Sequence, residues 1–306
     1  MIEERSTAPL ALLARRINWG TVIALASHHM IALVGMLWLF SWAGVTLAIV
    51  GIYVFGTLGL NIGFHRLLAH RSFTCSKWLE HALVILGICC LQGTPAQWVA
   101  VHRRHHAHSD DQLDPHSPLA GIFWSHTGWL ILKNEGLSRK NLQQRYGKDI
   151  LRDPLYATLE RAPWLGVVLL VSWLIFFTGG FIGDLLMGGS VAEAWRYGTS
   201  ILVWGIFIRI VMVWHITWSV NSVTHLWGYR SYSTDDASRN NFFIGILAGG
   251  EGWHNNHHAD PRSAKHGHFW WELDVSYLTI RLLARVGLVG KINMPRRDRL
   301  DHVLLA

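Results

Sequence analysis

Charge is scarce in this chain. Of its 306 residues only 15% are Asp, Glu, Lys or Arg, too few to clothe an ordinary soluble domain of that length. Cysteine is scarce as well: Cys75, Cys89 and Cys90 form neither a disulfide framework nor a C-x-x-C metal pattern, and read as packing residues. There is no low-complexity tract, internal repeat or flexible linker, so one domain over residues 1–306 is the simplest organisation. The net charge of +7 comes without a stripe of Lys and Arg interleaved with stacking aromatics, which argues against nucleic acid. The basic residues cluster beside apolar stretches instead, where they would meet lipid phosphates, an anionic acyl carrier or an acidic electron carrier.

What the chain has in excess is apolar surface, tryptophan and histidine. Hydrophobic residues make up 51% and there are 17 Trp, whose rings favour the headgroup region of a bilayer. Four stretches are long enough, at 1.5 Å per residue, to cross a hydrocarbon core of about 30 Å: residues 21–40, 42–60, 164–183 and 199–220. The first two form a hairpin with an uncharged turn. Arg15 and Arg16 precede it and Arg66 and Arg71 follow it, so the positive-inside rule sets both outer ends in the cytoplasm. The first stretch has no small-residue cleavage site and leads straight into the second, so a removable signal peptide is not expected. The link holding Asp184, Glu193 and Arg196 then becomes the outer loop, while residues 79–94, apolar but short, fit a buried or interfacial helix. The expected fold is an all-α integral membrane protein: four transmembrane helices and a cytosolic helical cap, with both termini on the cytoplasmic side.

Histidine, at 19 residues, exceeds what packing needs. Four clusters fall on that expected cytoplasmic side: His65 and His70 in HRLLAH; His102, His105 and His106 in HRRHH; Asn221 and His225 in NSVTH; His254, His257 and His258 in HNNHH. Spacing of i, i+3, i+4 puts three imidazoles on one helix face, and Asn221 and His225 form an i, i+4 pair. His65 and His70, five apart, are rotated by roughly 140° on a regular helix and could reach two different centres. The set exceeds the needs of one ion, which takes about four to six ligands, but suits two metals about 3.5–4 Å apart. A lone histidine beside a span is usually a hydrogen-bonded interfacial residue, and His28, His29, His81, His108, His116, His126, His266, His268 and His302 are left with that reading. Arg209 and His215, inside the fourth stretch, are ionisable residues in a costly place, though a polar face buried against other helices accounts for them equally well.

At these clusters the chain resembles the membrane-bound fatty acid desaturases, in particular the stearoyl-type Δ9 branch. The resemblance runs from about Asn61 to Asp274 and rests on NIGFHRLLAHRSF, WVAVHRRHHAHSDDQLDPHSP, SHTGW, NSVTHLWGYR, SRNN and GEGWHNNHHADP. It implies a non-haem site of two iron ions ligated by His65, His70, His102, His105, His106, His225, His254, His257 and His258, with Asn221 near one metal through water. It also implies a narrow, kinked tunnel for a bent acyl chain. Breaking an unactivated C–H bond calls for iron and oxygen, although imidazoles alone would also hold zinc. Asp110, Asp114, Glu251 and Asp260 are candidates for orienting the non-ligating ring nitrogens, one or two of them in fact doing so. Members of the family that take acyl-CoA carry an Arg-Asp pair before the second box where this chain has Ala100 and Val101. Arg103, Arg104, Lys133, Arg139 and Lys140 remain for phosphates, so acyl-CoA is favoured on the resemblance of the whole and acyl-lipid stays open. With no haem or iron–sulfur module apparent, electrons must come from a separate donor such as a ferredoxin or cytochrome. The competing outcomes are a hydroxylase or decarboxylase sharing the same metal site, and, from another class, a metal transporter or sensor, which would need ligands through the bilayer midplane.

Overall fold

The computed structural model describes residues 16–133, 138–161 and 163–296. Arg15 and His302 lie outside them. Among the described residues four helices are long and apolar enough to span a membrane: α1 (Trp19–Trp38), α2 (Trp42–Ala69), and, further along, Trp164–Leu186 and Val191–Leu226. Two shorter helices follow α2, namely α3 (Lys77–Ile88) and α4 (Pro95–Ala107). The third and fourth long helices are therefore α5 (Trp164–Leu186) and α6 (Val191–Leu226), and α7 (His254–Ala259) and α8 (Val275–Arg285) close the chain. The helices outrun the apolar stretches, because α2 and α6 continue without a break into segments polar enough to carry functional side chains. The link between α5 and α6 shrinks to four residues. Asp184 lies within α5 and Glu193 within the first turn of α6, where it closes a capping box with Ser190.

Small residues set how closely the spans approach. A Cβ on Gly35 of α1 would come within 2.2 Å of Val203 Cγ1 of α6, and one on Gly59 of α2 within 2.3 Å of the Gly87 backbone of α3. Such contacts let backbones pack where lipid supplies no hydrophobic drive between helices. The second half of α2, Ile52–Ala69, is wound as a π-helix, and its last amide keeps that pattern: His70 N–H donates to His65 C=O at 3.1 Å. This five-residue closure brings His65 and His70 toward one side of the helix, where a regular α-helix would have splayed them apart.

α3 packs along α2 and ends beside the buried middle of α6. Its terminal carbonyls have no partner of their own. Arg209 Nη1 donates to Cys89 O at 2.8 Å and Trp214 Nε1 to Cys90 O at 2.8 Å, while the Arg209 guanidinium lies 4.2 Å from the Phe55 ring. Arg209 thus caps a helix end in a place water does not reach. Two short antiparallel ribbons tie the periphery: β1 (Arg16–Ile17) with β3 (Leu132–Lys133), and β2 (Phe73–Cys75) with β4 (Val289–Ile292).

Candidate metal centre

Nine of the ten residues singled out by spacing converge on two adjacent groups. His65, His70, His102, His106 and His257 form one, and His105, His225, His254 and His258 the other, the ligand atoms of each lying within 4.8 Å of one another. α2 and the residue after it supply His65 and His70, α4 supplies three imidazoles, α6 supplies His225, and α7 supplies three more. His65 and His70 therefore share one centre, contrary to the expectation from a regular helix, and the π winding is the reason. The two groups abut at His106 and His258, whose ring centroids are 4.5 Å apart.

Inside each group the contacts run between Nε2 atoms. His65 is 3.1 Å from His257, His70 is 2.7 Å from His102, and His106 is 3.1 Å from His102 and 3.0 Å from His257. In the second group His225 to His254 is 3.0 Å, His254 to His258 is 3.1 Å, and His105 to His258 is 3.3 Å. The opposite nitrogens point outward to carboxylates. Nδ1 of His65 meets Glu251 at 2.7 Å, that of His105 meets Asp114 at 3.0 Å, that of His225 meets Asp110 at 3.0 Å, and that of His258 meets Asp236 at 2.6 Å. A neutral imidazole that donates its Nδ1–H to a carboxylate has only a lone pair left at Nε2. Three of the four imidazoles in the second group, His105, His225 and His258, set Nδ1 on a carboxylate and turn Nε2 inward. That donor set fits a cation at its centre.

Burial, followed by repulsion from neighbouring imidazoles, holds His70, His102, His105, His106, His254 and His257 well below the usual histidine range. They are neutral at physiological pH, the form that binds metal. Burial pushes Glu251 up, but Arg66, then His65 and His266, outweigh it and hold the carboxylate well below its ordinary range. Burial likewise opposes Asp236, and the N–H of His258 with the hydroxyls of Ser238 and Thr234 more than offsets it.

The supporting residues are only partly those the sequence suggested. Asp110, Asp114 and Glu251 do orient ring nitrogens, while Asp260 accepts instead from the Arg296 amide at 3.0 Å. Asp236 has no spacing signal in the sequence, and Arg66, expected as a charge flanking the second span, is a fully buried guanidinium that bonds Glu251 through Nε and Nη2 and Asp274 through Nη1. His116 and His266, given a bland reading, are buried against the site: His116 packs 4.5 Å from the His105 ring and His266 4.4 Å from the His257 ring. The two asparagines of HNNHH turn away from the imidazoles and lock α7 in place. Asn255 accepts the amides of Ser231 and Tyr232, both at 2.7 Å, and Asn256 bonds Asn240, Glu272 and the His266 carbonyl. His29, His215 and His126 bond one another away from both groups.

A cavity of about 790 Å³ meets the first group at His102, and Trp98, Gln92, Thr217 and Trp218 are among its other walls. Asn221, the tenth residue, also lines this cavity. Gln92 Nε2 donates to Thr217 Oγ1 at 3.0 Å within its wall, and the Trp98 ring stacks on His102 at 5.1 Å. Asn18, Thr21, Gln97 and Lys133 also line it.

A family model described as fatty acid desaturase matches residues 37–275. The sn-1 stearoyl-lipid 9-desaturase of Anabaena variabilis is 41% identical over 280 residues, 91% of this chain and 95% of that protein. The sn-2 palmitoyl-lipid 9-desaturase of Nostoc sp. (strain 36) is 38% identical over 290 residues, 94% and 93% of the two chains. An acyl-CoA C20 Delta5-desaturase of Anemone leveillei is 38% identical over 256 residues, covering 84% and 76%. With four membrane-length helices, paired imidazole groups and these matches over most of its length, the chain belongs to the fatty acid desaturase family.

Proposed function

We propose that the protein is a membrane-bound desaturase that uses oxygen to introduce a cis double bond at carbon nine of a long saturated acyl chain, the chain being carried by a glycerolipid. The observation that carries this reading is the pair of inward-facing imidazole groups, one of which meets a largely apolar cavity at His102. Two iron ions would be held by the nine imidazoles, with Asn221 near one of them, and when bound they would supply the oxygen chemistry that removes hydrogen from two adjacent methylenes. That change consumes O2, two electrons and two protons and releases two waters.

The chain's own residues orient and exclude. Leu25, Leu91, Leu130, Trp214 and Trp218 give the cavity apolar walls that suit methylenes and keep water away. We infer that the Gln92–Thr217 bond acts as a polar cross-bar at which an acyl chain passing His102 bends, which would favour one methylene pair and a cis product. The carboxylates behind the imidazoles fix the tautomer that presents Nε2 to metal.

The headgroup reading shifts from acyl-CoA toward acyl-lipid on the fate of the cations. Arg103 is spent on the Leu68, Ala69 and Tyr146 carbonyls and on Asp149, and Arg139 pairs with Glu160. Of the five basic residues considered for a coenzyme phosphate, only Lys133 and the already paired Arg139 line the cavity. A neutral or singly charged headgroup suits that mouth better than a polyphosphate. Two of the relatives named above act on lipid-bound chains by their names, and one on acyl-CoA. We place the metal groups and both chain ends on the cytoplasmic side, with a separate ferredoxin or cytochrome as electron donor.

Expression in a desaturase-deficient host, beside a His254→Ala control, tests the proposal. New monoenes with the bond at carbon nine, formed only by the intact protein and appearing in glycerolipids before free acyl-CoA, are expected. Hydroxy acids or terminal alkenes would refute desaturation, and labelled stearoyl-CoA converted ahead of any lipid would refute the headgroup.

A further inference from the structure

Beyond the last span, three segments turn apolar side chains outward. Phe243 in the helix Phe242–Leu247 is 76% exposed and Trp270, in the turn before α8, is 91% exposed. α8 buries Tyr277 and Ile280 in a core that Leu283 and Ala284 also pack against, and it turns two further leucines, Leu278 and Leu282, outward beside Arg281 and Arg285. A helix with water on its outer face carries polar residues there instead. Leucines and arginines sharing the outer face are the signature of a helix lying in a lipid interface, where the leucines enter the acyl region and the arginines reach phosphate.

The position of α8 agrees. Thr279 Oγ1 bonds the Tyr53 hydroxyl of α2 at 3.0 Å, and Asn61 of α2 bonds the Ala248 carbonyl at 2.8 Å. α2 starts at Trp42, which with Trp38 and Phe40 forms an exposed aromatic cluster of the kind that marks a bilayer boundary. Tyr53 lies eleven residues on, about 16 Å at 1.5 Å per residue, in a hydrocarbon core of about 30 Å. Thr279 is therefore held against the metal-side half of α2.

We propose that the segments 242–247, 269–273 and 275–286 form a membrane-docking face. Its occupant is the leaflet on the side of the metal groups, with Leu278, Leu282 and Val286 among the acyl chains and Arg281 and Arg285 on anionic headgroups. The face is continuous with the lipid-facing surface of α2, and no ion pair ties Arg281 or Arg285 to a carboxylate among the described residues.

The intact protein, reconstituted in vesicles of phosphatidylcholine and phosphatidylglycerol with a phospholipid bearing a diazirine on its acyl chain, tests this directly. Photo-adducts on the 269–286 peptide at a level similar to α1 and α5 are expected; adducts on α1 and α5 with none on 269–286 would overturn the proposal. In a Cys75→Ser background, spin labels at Leu282→Cys and at exposed, polar Ser233→Cys give a second reading. The Leu282 label should be quenched by oxygen more than by a water-soluble nickel complex, with the reverse at Ser233. Equal nickel access at both sites would refute lipid contact, and spin–spin broadening at Leu282 without lipid adducts would assign the face to a second copy instead.

Discussion

Asp236→Asn keeps the shape of a side chain and changes which atom faces His258. In the native protein Asp236 Oδ2 accepts the His258 Nδ1–H at 2.6 Å, and Oδ1 accepts the Ser238 amide at 3.0 Å and the Thr234 hydroxyl at 2.8 Å. Asparagine can leave its oxygen with Ser238 and Thr234, so the loop is expected to survive. Its NH2 then meets the Nδ1–H of His258, donor against donor. The contact is relieved if His258 takes the other tautomer, which moves the proton onto Nε2, the atom turned toward the other imidazoles. Loss of such a supporting carboxylate costs about 10–100-fold in metal affinity, or roughly 1.4–2.7 kcal/mol. Because Asp236 touches only the group of His105, His225, His254 and His258, the loss should fall on one ion of the two. The assay is the iron content of purified protein equilibrated against a graded chelator. The wild type should release its iron at one chelator level, and the variant should release half of it about 10–100-fold earlier. Release of both ions together, or a curve that overlays the wild type, would show that Asp236 does not support a separate second centre.

Other expectations follow from the same geometry. The six imidazoles depressed by burial, His70, His102, His105, His106, His254 and His257, titrate near 6.5 only in the unfolded chain. Their stabilisation is thus intact above about pH 6.5 and lost as pH falls below it, so the melting temperature of metal-free protein should drop between about pH 7 and pH 5; a flat or rising trend would contradict the burial. Glu251→Gln strips a buried guanidinium of one partner and should destabilise by about 3–5 kcal/mol, seen as a lower unfolding midpoint even without metal. Thr217→Leu removes the acceptor of the cavity cross-bar and fills space beside it. Conversion of the longest substrates should fall by about tenfold relative to shorter ones, with total iron unchanged.

Much of this architecture can be read from residue order, and the exceptions are instructive. Hydropathy reports where lipid is, so it marked the apolar parts of α2 and α6 but not the continuations that carry His65 and His225, since those lie in helix that no longer needs to be apolar. Histidine spacing read on regular helices set the second and fourth clusters each on one helix face, yet each divides between the two groups, His105 parting from His102 and His106, and His257 from His254 and His258. It failed for His65 and His70 because π winding leaves no trace in residue type. Asp236 sits in the run Thr234, Asp235, Asp236, Ala237, which looks like a solvated turn; only its long-range contact with His258 sets it apart from its neighbour. Arg66 was counted as a membrane-flanking charge, yet burial against Glu251 and Asp274, roughly two hundred residues away, makes it the keystone of the outer layer. His116 and His266 lack spacing because they serve from behind the ligands, where no shared helix face is needed.

The nine imidazoles come from places far apart in the chain: His65 meets His257 across 192 residues, and His105 meets His258 across 153. Each group is incomplete until α7 is present. A ribosome that has inserted α1 to α6 has made only part of either cage, so neither can close around its ion before the last fifth of the sequence emerges. Bound metal would then act as a clasp over loops that span most of the chain, and closing loops of that length restricts the unfolded ensemble far more than any local contact does. Metal loading would in this sense be the final folding step, reporting that every span has reached its place.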